Sequence, residues 1–198
     1  MSSVTQRSLV GSMITLLMAT ASQADVIVND SRSDYVINAS TSVELSQALR
    51  RANHQTEQGL TEVALTTSRL SVQMRAKGHQ AGCRIDSVTI TADIEIRMPT
   101  LQTQSDYLKY QWRVYYPKLL EHEMQHRAIT LDQAHKIEQE ILALPDQNTC
   151  EDMMADAEYT FEQLNQDGQR QQRLFDEAEY ASGYLNLKHF FKPQQRSQ

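Results

Sequence analysis

The chain has 198 residues, with 19 Lys and Arg residues against 25 Asp and Glu residues and a formal net charge of −6. Hydrophobic residues make up 40% and charged residues 22% of the sequence, which is typical of a globular protein and excludes a disordered or collagen-like chain. The negative charge argues against nucleic acid as a partner, because nucleic-acid-binding proteins usually carry a clustered basic excess. This length predicts one domain.

The first 24 residues predict a secretory signal peptide. Arg7 precedes an apolar run over 9–21, and the small residues Ser22 and Ala24 stand at positions −3 and −1 of a cleavage site. The apolar run is shorter than the roughly 20 residues that a membrane-spanning helix needs, although an uncleaved anchor is the alternative interpretation. We therefore expect export to the periplasm or the extracellular space, a single mature domain over 25–198, and no stable membrane insertion after cleavage.

The expected export affects the oxidation state that we predict for the two cysteines, Cys83 and Cys150. In an oxidising compartment a pair of thiols is commonly found as a disulfide, and we expect these two to form one. The alternative is a pair of zinc-binding thiolates. It is the weaker interpretation because neither cysteine belongs to a C-x-x-C pair.

Residues 34–99 predict mainly strands with one short helix. A strand is expected over 34–40, a helix over 42–53, a strand through the alternating apolar residues between 63 and 74, and a long strand over 83–98. Within the last strand the apolar residues change from odd positions, at Cys83 and Ile85, to even positions from Val88 onward. This change predicts a bulge near Asp86 and Ser87. Pro99 is expected to end that strand. The alternation predicts an antiparallel sheet with one face in solvent.

Residues 105–182 predict helix. One long helix, or two in tandem around Pro117, is expected over 105–144, and a second helix over 150–181. The short connection between them predicts an antiparallel pair. Gly168 lies inside the second helix, where glycine costs about 1 kcal/mol relative to alanine, so we expect a close helix contact there.

The first helical segment contains the motif His122-Glu123-Met124-Gln125-His126. Residues four apart lie on one helix face about 5–6 Å apart at Cβ, so both imidazoles can bind one zinc ion at about 2.0–2.1 Å. Glu123 lies about 100° around the helix axis, where it can act as a base toward a zinc-activated water. The motif predicts His122 and His126 as metal ligands and Glu123 as the catalytic residue. The alternatives are two surface histidines beside a glutamate by coincidence, or a structural zinc site.

A third ligand is not evident from spacing. Asp132 and His135 lie about 240° and 180° around the helix from His126, so we expect both to be solvent-exposed. The missing ligand should come from the end of the second helix or the residues after it. Four donors are available there: Asp176, Glu177, Glu179 and His189.

Three stretches carry a family resemblance: DYVINAS at 34–40, GCRIDSVTITADIEIRMP at 82–99, and the aromatic helix leading into HEMQHRAI at 122–129. Over about 34–183 the chain resembles a bacterial family of predicted secreted zinc-dependent proteases, domain of unknown function 922. The resemblance implies zinc ligation by His122 and His126, catalysis by Glu123, and a disulfide between the two cysteines. The family's C-terminal Tyr-Asp and His-Gly pattern is represented by Phe175-Asp176 and Ala181-Ser182-Gly183, without the histidine.

Together these patterns predict an α+β domain in which an antiparallel sheet and a short helix pack against two long antiparallel helices. A zincin-like metal site is expected on the first long helix. The expected function is a secreted metallopeptidase with one zinc ion and a peptide or protein substrate. Two alternatives are an exported zinc-binding or envelope-interaction protein without turnover, and a cell-wall amide hydrolase.

Overall fold

The described part of the chain folds as a three-stranded sheet, a separate two-stranded ribbon and three helices. The computed structural model describes residues 23–52, 54–55, 61–183, 185 and 190–191. In chain order the elements are β1 (Gln23–Asn38), α1 (Ser42–Ala52), β2 (His54–Gln55), β3 (Thr61–Glu62), β4 (Leu65–His79), β5 (Gly82–Gln102), α2 (Asp106–Leu142) and α3 (Cys150–Ser182). The predicted mixture of helix and sheet is confirmed.

The main sheet has the order β1-β5-β4 and is mixed rather than wholly antiparallel. β4 pairs with β5 in the antiparallel sense, as predicted, but β1 runs parallel to β5 from Gln23↔Ser87 to Asn38↔Gln102. The expectation of an antiparallel sheet was therefore wrong for β1, because apolar alternation fixes which face of a strand is buried but not the direction of its neighbour. β1 also begins well before the predicted residue 34. Residues 1–22 of the predicted signal peptide lie outside the described residues.

The central strand β5 places one face against the helices. Val88, Ile90, Ala92 and Ile94 are each at most 1% exposed, whereas the intervening residues face outward. Arg75 pairs with Ser87 and Ala76 pairs with Ile85, which leaves Asp86 as the extra residue of a bulge. The predicted bulge is confirmed.

Pro99 does not end β5, contrary to the expectation, since the strand continues to Gln102. β4 pairs with β5 only as far as Arg97, so at Pro99 the strand has a neighbour on one side alone, Tyr35 of β1. Proline has no backbone N–H group, and it is tolerated in a strand where that strand is unpaired on one side.

The two long helices lie against the sheet and against each other. α2 runs without interruption through Pro117, and Ser105 and Thr149 cap the N-termini of α2 and α3 with their hydroxyl groups. Gln133 of α2 contacts Gly168 of α3, whereas the earlier residue His126 contacts the later Gln172, so the helices are antiparallel as predicted. The close contact expected at Gly168 is confirmed.

Two apolar clusters form the core, one at each end of α2. The first joins α1, the end of β5 and the first turns of α2, and it includes Leu45, Met98 and Tyr115. The second joins the start of β5 to the last turns of α2 and the first turns of α3, and it includes Ile90 and Ile137. The His122–His126 segment lies between these clusters along α2.

The predicted disulfide between Cys83 and Cys150 is present and joins the start of β5 to the first residue of α3, with a Cα–Cα distance of 5.0 Å. Within the described ranges, no helix is both long enough and apolar enough to cross a membrane.

Candidate metal centre

Three side-chain atoms from the two long helices converge on one point. Nε2 of His122 lies 3.2 Å from Nε2 of His126. Oδ1 of Asp176 lies 2.8 Å from Nε2 of His126 and 3.5 Å from Nε2 of His122. The histidines lie one turn apart on α2, and Asp176 reaches them from near the C-terminal end of α3. Together the three form the one group of His, Cys, Asp or Glu side chains within the described residues that could hold a metal ion.

The spacing of these three atoms suits a tetrahedral metal ion. Ligand bonds of about 2.0–2.1 Å in a tetrahedral site separate the donor atoms by roughly 3.3 Å. The observed separations of 2.8, 3.2 and 3.5 Å bracket this value. Oδ1 of Asp176 is also buried, and it faces Nε2 of His126 at 2.8 Å. A bound cation is a partner that would satisfy such a buried oxygen.

Gln172 of α3 determines which nitrogen of His126 is free to bind a metal. Its Nε2 donates to the backbone oxygen of His126 and to Oγ1 of Thr130, both at 3.0 Å. Its Oε1 therefore faces Nδ1 of His126, at 2.5 Å, as an acceptor. This arrangement places the ring proton on Nδ1 and leaves the lone pair of Nε2 directed at the convergence point.

The electrostatic environment distinguishes the two histidines. Burial, followed by the neighbouring His126, lowers the pKa of His122 to about 4, against the opposing charge of Asp176. His122 is therefore neutral at pH 7, which is the form that binds a metal ion. Burial also lowers the pKa of His126, but the contacts with Asp176 and Gln172 and the charge of Glu123 together outweigh burial, and the pKa of His126 is raised. In the absence of a metal ion, His126 is therefore the residue of the cluster that is protonated most readily.

Glu123 follows the first histidine and is only 2% exposed. Oγ1 of Thr66, from β4, donates a hydrogen bond to its Oε2 at 2.7 Å and fixes the carboxylate. Burial raises the pKa of Glu123 to about 7, although the hydrogen bond from Thr66 opposes the shift. A carboxylate with a pKa near neutrality is suited to accept and return a proton at physiological pH.

Phe175, which directly precedes Asp176, packs on both imidazoles. Its ring centroid lies 4.9 Å from that of His122, in a stacked arrangement, and 5.0 Å from that of His126, edge to face. The two histidines are each 8% exposed. The aromatic ring thus restricts ring rotation and shields the cluster from solvent.

A cavity of about 240 Å³ adjoins the cluster between β4, α2 and α3. Thr130 and Gln172, which fix His126, also line this cavity. The rest of its wall is largely polar and includes Arg69, Asn165 and Gln169. A space therefore exists next to the candidate centre that could admit a polar side chain.

The structure describes three of the four candidates for a third ligand. Asp176 joins the cluster, Glu177 is exposed, and Glu179 lies outside the cluster although its Oε2 is buried. The fourth candidate, His189, falls outside the described residues. Asp132 and His135 are exposed, as predicted.

Sequence reasoning did not identify Thr66, Gln172 or Phe175 as residues of the site. Phe175 and Gln172 lie one and four residues before Asp176, so the helical period would have placed Gln172 on the same face once Asp176 was known to bind. No comparable signal marks Thr66, which reaches Glu123 from a strand 57 residues earlier in the chain.

Fold and site together define a mixed α+β protein with a buried His-His-Asp cluster between two antiparallel helices. More particularly, the chain belongs to the bacterial family described as "Bacterial protein of unknown function (DUF922)", whose family model matches residues 32–183. The membership expected from the sequence is thus confirmed. No curated protein and no solved structure matches the chain.

Proposed function

We propose that the chain is an exported, zinc-dependent hydrolase of peptide bonds, in which His122, His126 and Asp176 hold one zinc ion and Glu123 is the general base. The main support is the convergence of three donor atoms at tetrahedral spacing, with Nδ1 of His126 engaged by Gln172 so that Nε2 faces the convergence point. A site of this composition, with three protein ligands and a position for a fourth, is typical of catalytic zinc.

Each residue has a defined task in this proposal. His122, His126 and Asp176 would hold the zinc ion, which would supply the Lewis acidity needed to polarise a substrate carbonyl and activate water near neutral pH. Glu123 accepts the proton that the attacking water loses and later delivers it to the leaving amine. Thr66 holds Oε2 of this carboxylate, so the other oxygen, Oε1, is the one that exchanges the proton.

Export is part of the proposal, and it is supported by the signal-like N-terminus and by the disulfide. Disulfides persist in oxidising compartments such as the periplasm and the extracellular space. The Cys83–Cys150 pair is therefore consistent with a protein that works outside the cytoplasm.

A second candidate function is zinc binding without turnover. The observation that favours it is the enclosure of the site: Glu123 is 2% exposed and Phe175 packs against both histidine rings. A peptide could reach the centre only if this ring moved. The two candidates share the same ligands and differ in whether substrate gains access.

Metal analysis and hydrolysis assays on the same preparations test both candidates. Protein purified without chelator should contain about one zinc per chain, and this zinc should be lost from the H122A/H126A double variant and from D176A. Glu123→Gln should retain zinc but lose hydrolysis, whereas Glu177→Gln, which changes an exposed carboxylate beside Asp176, should retain both.

The choice of substrates separates the remaining possibilities. Casein and a broad peptide library should be cleaved by the wild type, whereas cleavage confined to purified peptidoglycan would indicate a cell-wall amide hydrolase. Zinc-loaded protein that is inert on all three substrates would support binding without turnover. Wild-type protein that does not retain zinc would contradict the proposal altogether.

A further inference from the structure

β1 is an edge strand whose side chains are exposed on both faces of the sheet. Its one strand neighbour among the described residues is β5, and its 16 residues pair with β5 in unbroken register. None of the residues over 24–36 is buried, and Ile27, Val28 and Val36 are exposed apolar side chains. A long edge strand of this kind presents unpaired backbone N–H and C=O groups with which another strand can pair.

The opposite edge of the sheet, β4, is protected against such pairing. It carries the exposed basic side chains of Arg69, Arg75 and Lys77, and its register with β5 shifts at a bulge between Arg75 and Ala76. Basic side chains and bulges are common means of keeping a sheet edge from pairing with another chain. Over 23–38, β1 contains no lysine, no proline and no bulge. The β1 edge is therefore open to a further strand in a way that the β4 edge is not.

The sequence of β1 is complementary to itself in the antiparallel direction. The register to consider is the one in which Ser31 of one copy lies opposite Ser31 of a second copy. The pairs that then face each other are oppositely charged or apolar and aromatic: Asp30 with Arg32, Ile27 with Tyr35, and Val26 with Val36. Cross-strand pairs of both kinds stabilise antiparallel strands, and in this register no two like charges lie opposite each other.

The central charges of β1 leave room for a second partner. Asp30 forms a salt bridge with Arg127 of α2 at 2.7 Å, and Arg32 forms one with Asp34 of its own strand at 2.9 Å. The side chains of Asp30 and Arg32 nevertheless remain 47% and 46% exposed. In the antiparallel pair, each Asp30 carboxylate would lie between its own Arg127 and Arg32 of the second copy. Met124, which is exposed and lies three residues before Arg127, extends the exposed apolar surface from the strand onto this flank of α2.

We infer that the protein forms a two-fold symmetric dimer in which the β1 strands of two copies pair in the antiparallel direction about Ser31, so that two three-stranded sheets become one of six strands. The same surface of each copy then meets itself, as a two-fold interface requires. Alternate residues of β1 direct their backbone groups away from β5, so the new pairing leaves the existing one unchanged. This inference does not depend on the proposed zinc site.

Sedimentation velocity of the mature chain tests the inference, and the wild type should sediment as a dimer. Ser31→Lys places two lysines opposite each other and should weaken dimerisation by at least about tenfold, because like charges that meet at an interface are strongly unfavourable. Within one copy the new lysine lies beside Glu95, the partner of Ser31 on β5, so the fold should be retained. Ser71→Lys makes the same change at an exposed position of β4 and should dimerise as the wild type does.

Cysteine cross-linking tests the register of the pairing. Ser31→Cys places two thiols at the symmetry axis, where opposing Cβ atoms are about 4.5–5.5 Å apart, so a short bifunctional thiol reagent should link the two copies. Ser71→Cys, on the other edge of the sheet, should give no linked dimer under the same conditions. Circular dichroism of each variant checks that the fold is intact.

Two results would overturn the inference. A wild-type mature chain that sediments as a monomer up to its solubility limit would refute the dimer, including the case in which β1 pairs with a different protein. A dimer that persists unchanged in Ser31→Lys, or that leaves Ser31→Cys unlinked, would also refute it, because the two copies would then meet through another surface.

Discussion

Gly168 of α3 lies so close to Gln133 of α2 that a Cβ atom at position 168 would be 2.6 Å from Cγ of Gln133. Gln133 is 3% exposed, and its Nε2 donates to the backbone oxygen of Leu164 on α3. The buried amide cannot withdraw without losing this hydrogen bond. The glycine therefore sets the distance between the two helices that carry the candidate metal ligands.

Gly168→Ala should destabilise the protein despite the better helix propensity of alanine. Overpacking costs about 1–3 kcal/mol and the better helix propensity of alanine contributes about 1 kcal/mol, so we expect a net loss of up to about 2 kcal/mol in the free energy of unfolding. Zinc affinity should also fall, because Asp176 lies about two turns from the displaced contact. Urea denaturation and zinc titration measure the two effects.

Gly78→Ala is the matched control for this glycine. A Cβ atom there would lie 3.9 Å from Sγ of Cys150, an ordinary van der Waals distance, so stability should change little. Equal stability of Gly168→Ala and wild type would show that the helices separate without cost.

Gln172→Ala should weaken zinc binding by about 10- to 100-fold, because it removes the acceptor that fixes the tautomer and orientation of His126. Competition with a chromophoric chelator for zinc measures this loss. Gln169→Ala, which removes an exposed amide from the same cavity, should leave zinc affinity unchanged. If both variants bind zinc equally well, Gln172 does not position the ligand.

Metal-free Glu123→Gln should be more stable than metal-free wild type at pH 8 but not at pH 4.5. Burial raises the pKa of Glu123 from 4.5 to about 7, so the folded state disfavours the ionised form. The stability contributed by the protonated carboxyl is fully present below pH 4.5 and is lost as the pH rises through 7. A shift of this size corresponds to at most about 3 kcal/mol.

Urea denaturation in the presence of chelator, at half-unit steps between pH 4.5 and 8.5, measures the difference between the two proteins. Glu140→Gln, on the exposed face of the same helix, should follow the wild-type curve. Parallel curves for Glu123→Gln and wild type would mean that Glu123 is not desolvated in solution.

Reduction of the Cys83–Cys150 disulfide should lower the free energy of unfolding by about 4 kcal/mol, since the bond closes a loop with a sequence separation of 67 residues. Urea midpoints with and without dithiothreitol measure the loss. A Cys83→Ala/Cys150→Ala double variant should unfold at a low midpoint that does not respond to reductant. An unchanged midpoint of the wild type after confirmed reduction would contradict a stabilising role.

The helices were predicted closely and the sheet only in part. Helical periodicity and the capping residues are local signals, so the sequence placed α2 and α3 within a residue or two of their observed ends. The apolar alternation of β5 also predicted which of its residues are buried and where its bulge lies. The start and direction of β1 could not be predicted. Its parallel pairing with β5 depends on a connection through α1, β2, β3 and β4 that spans more than forty residues.

The candidate site shows the same division. A five-residue motif on one helix identified His122, Glu123 and His126, because their relative placement depends only on the helix geometry of α2. Asp176, by contrast, was one of four donors that the sequence offered. Which of them reaches the histidines depends on the rotation of α3 about its axis and on its level along α2.

By itself, then, the sequence determined the two long helices, the long bulged strand, the cysteine pair and the two histidines on one helix face. Each of these follows from residues near one another in the chain or from a count of residue types. Only the tertiary structure decided that Asp176 completes the cluster, that Gln172 and Thr66 hold its neighbours, and that β1 runs parallel to β5. The physical reason is that these relationships join separate elements, and their packing against the shared core sets distances that no local pattern encodes.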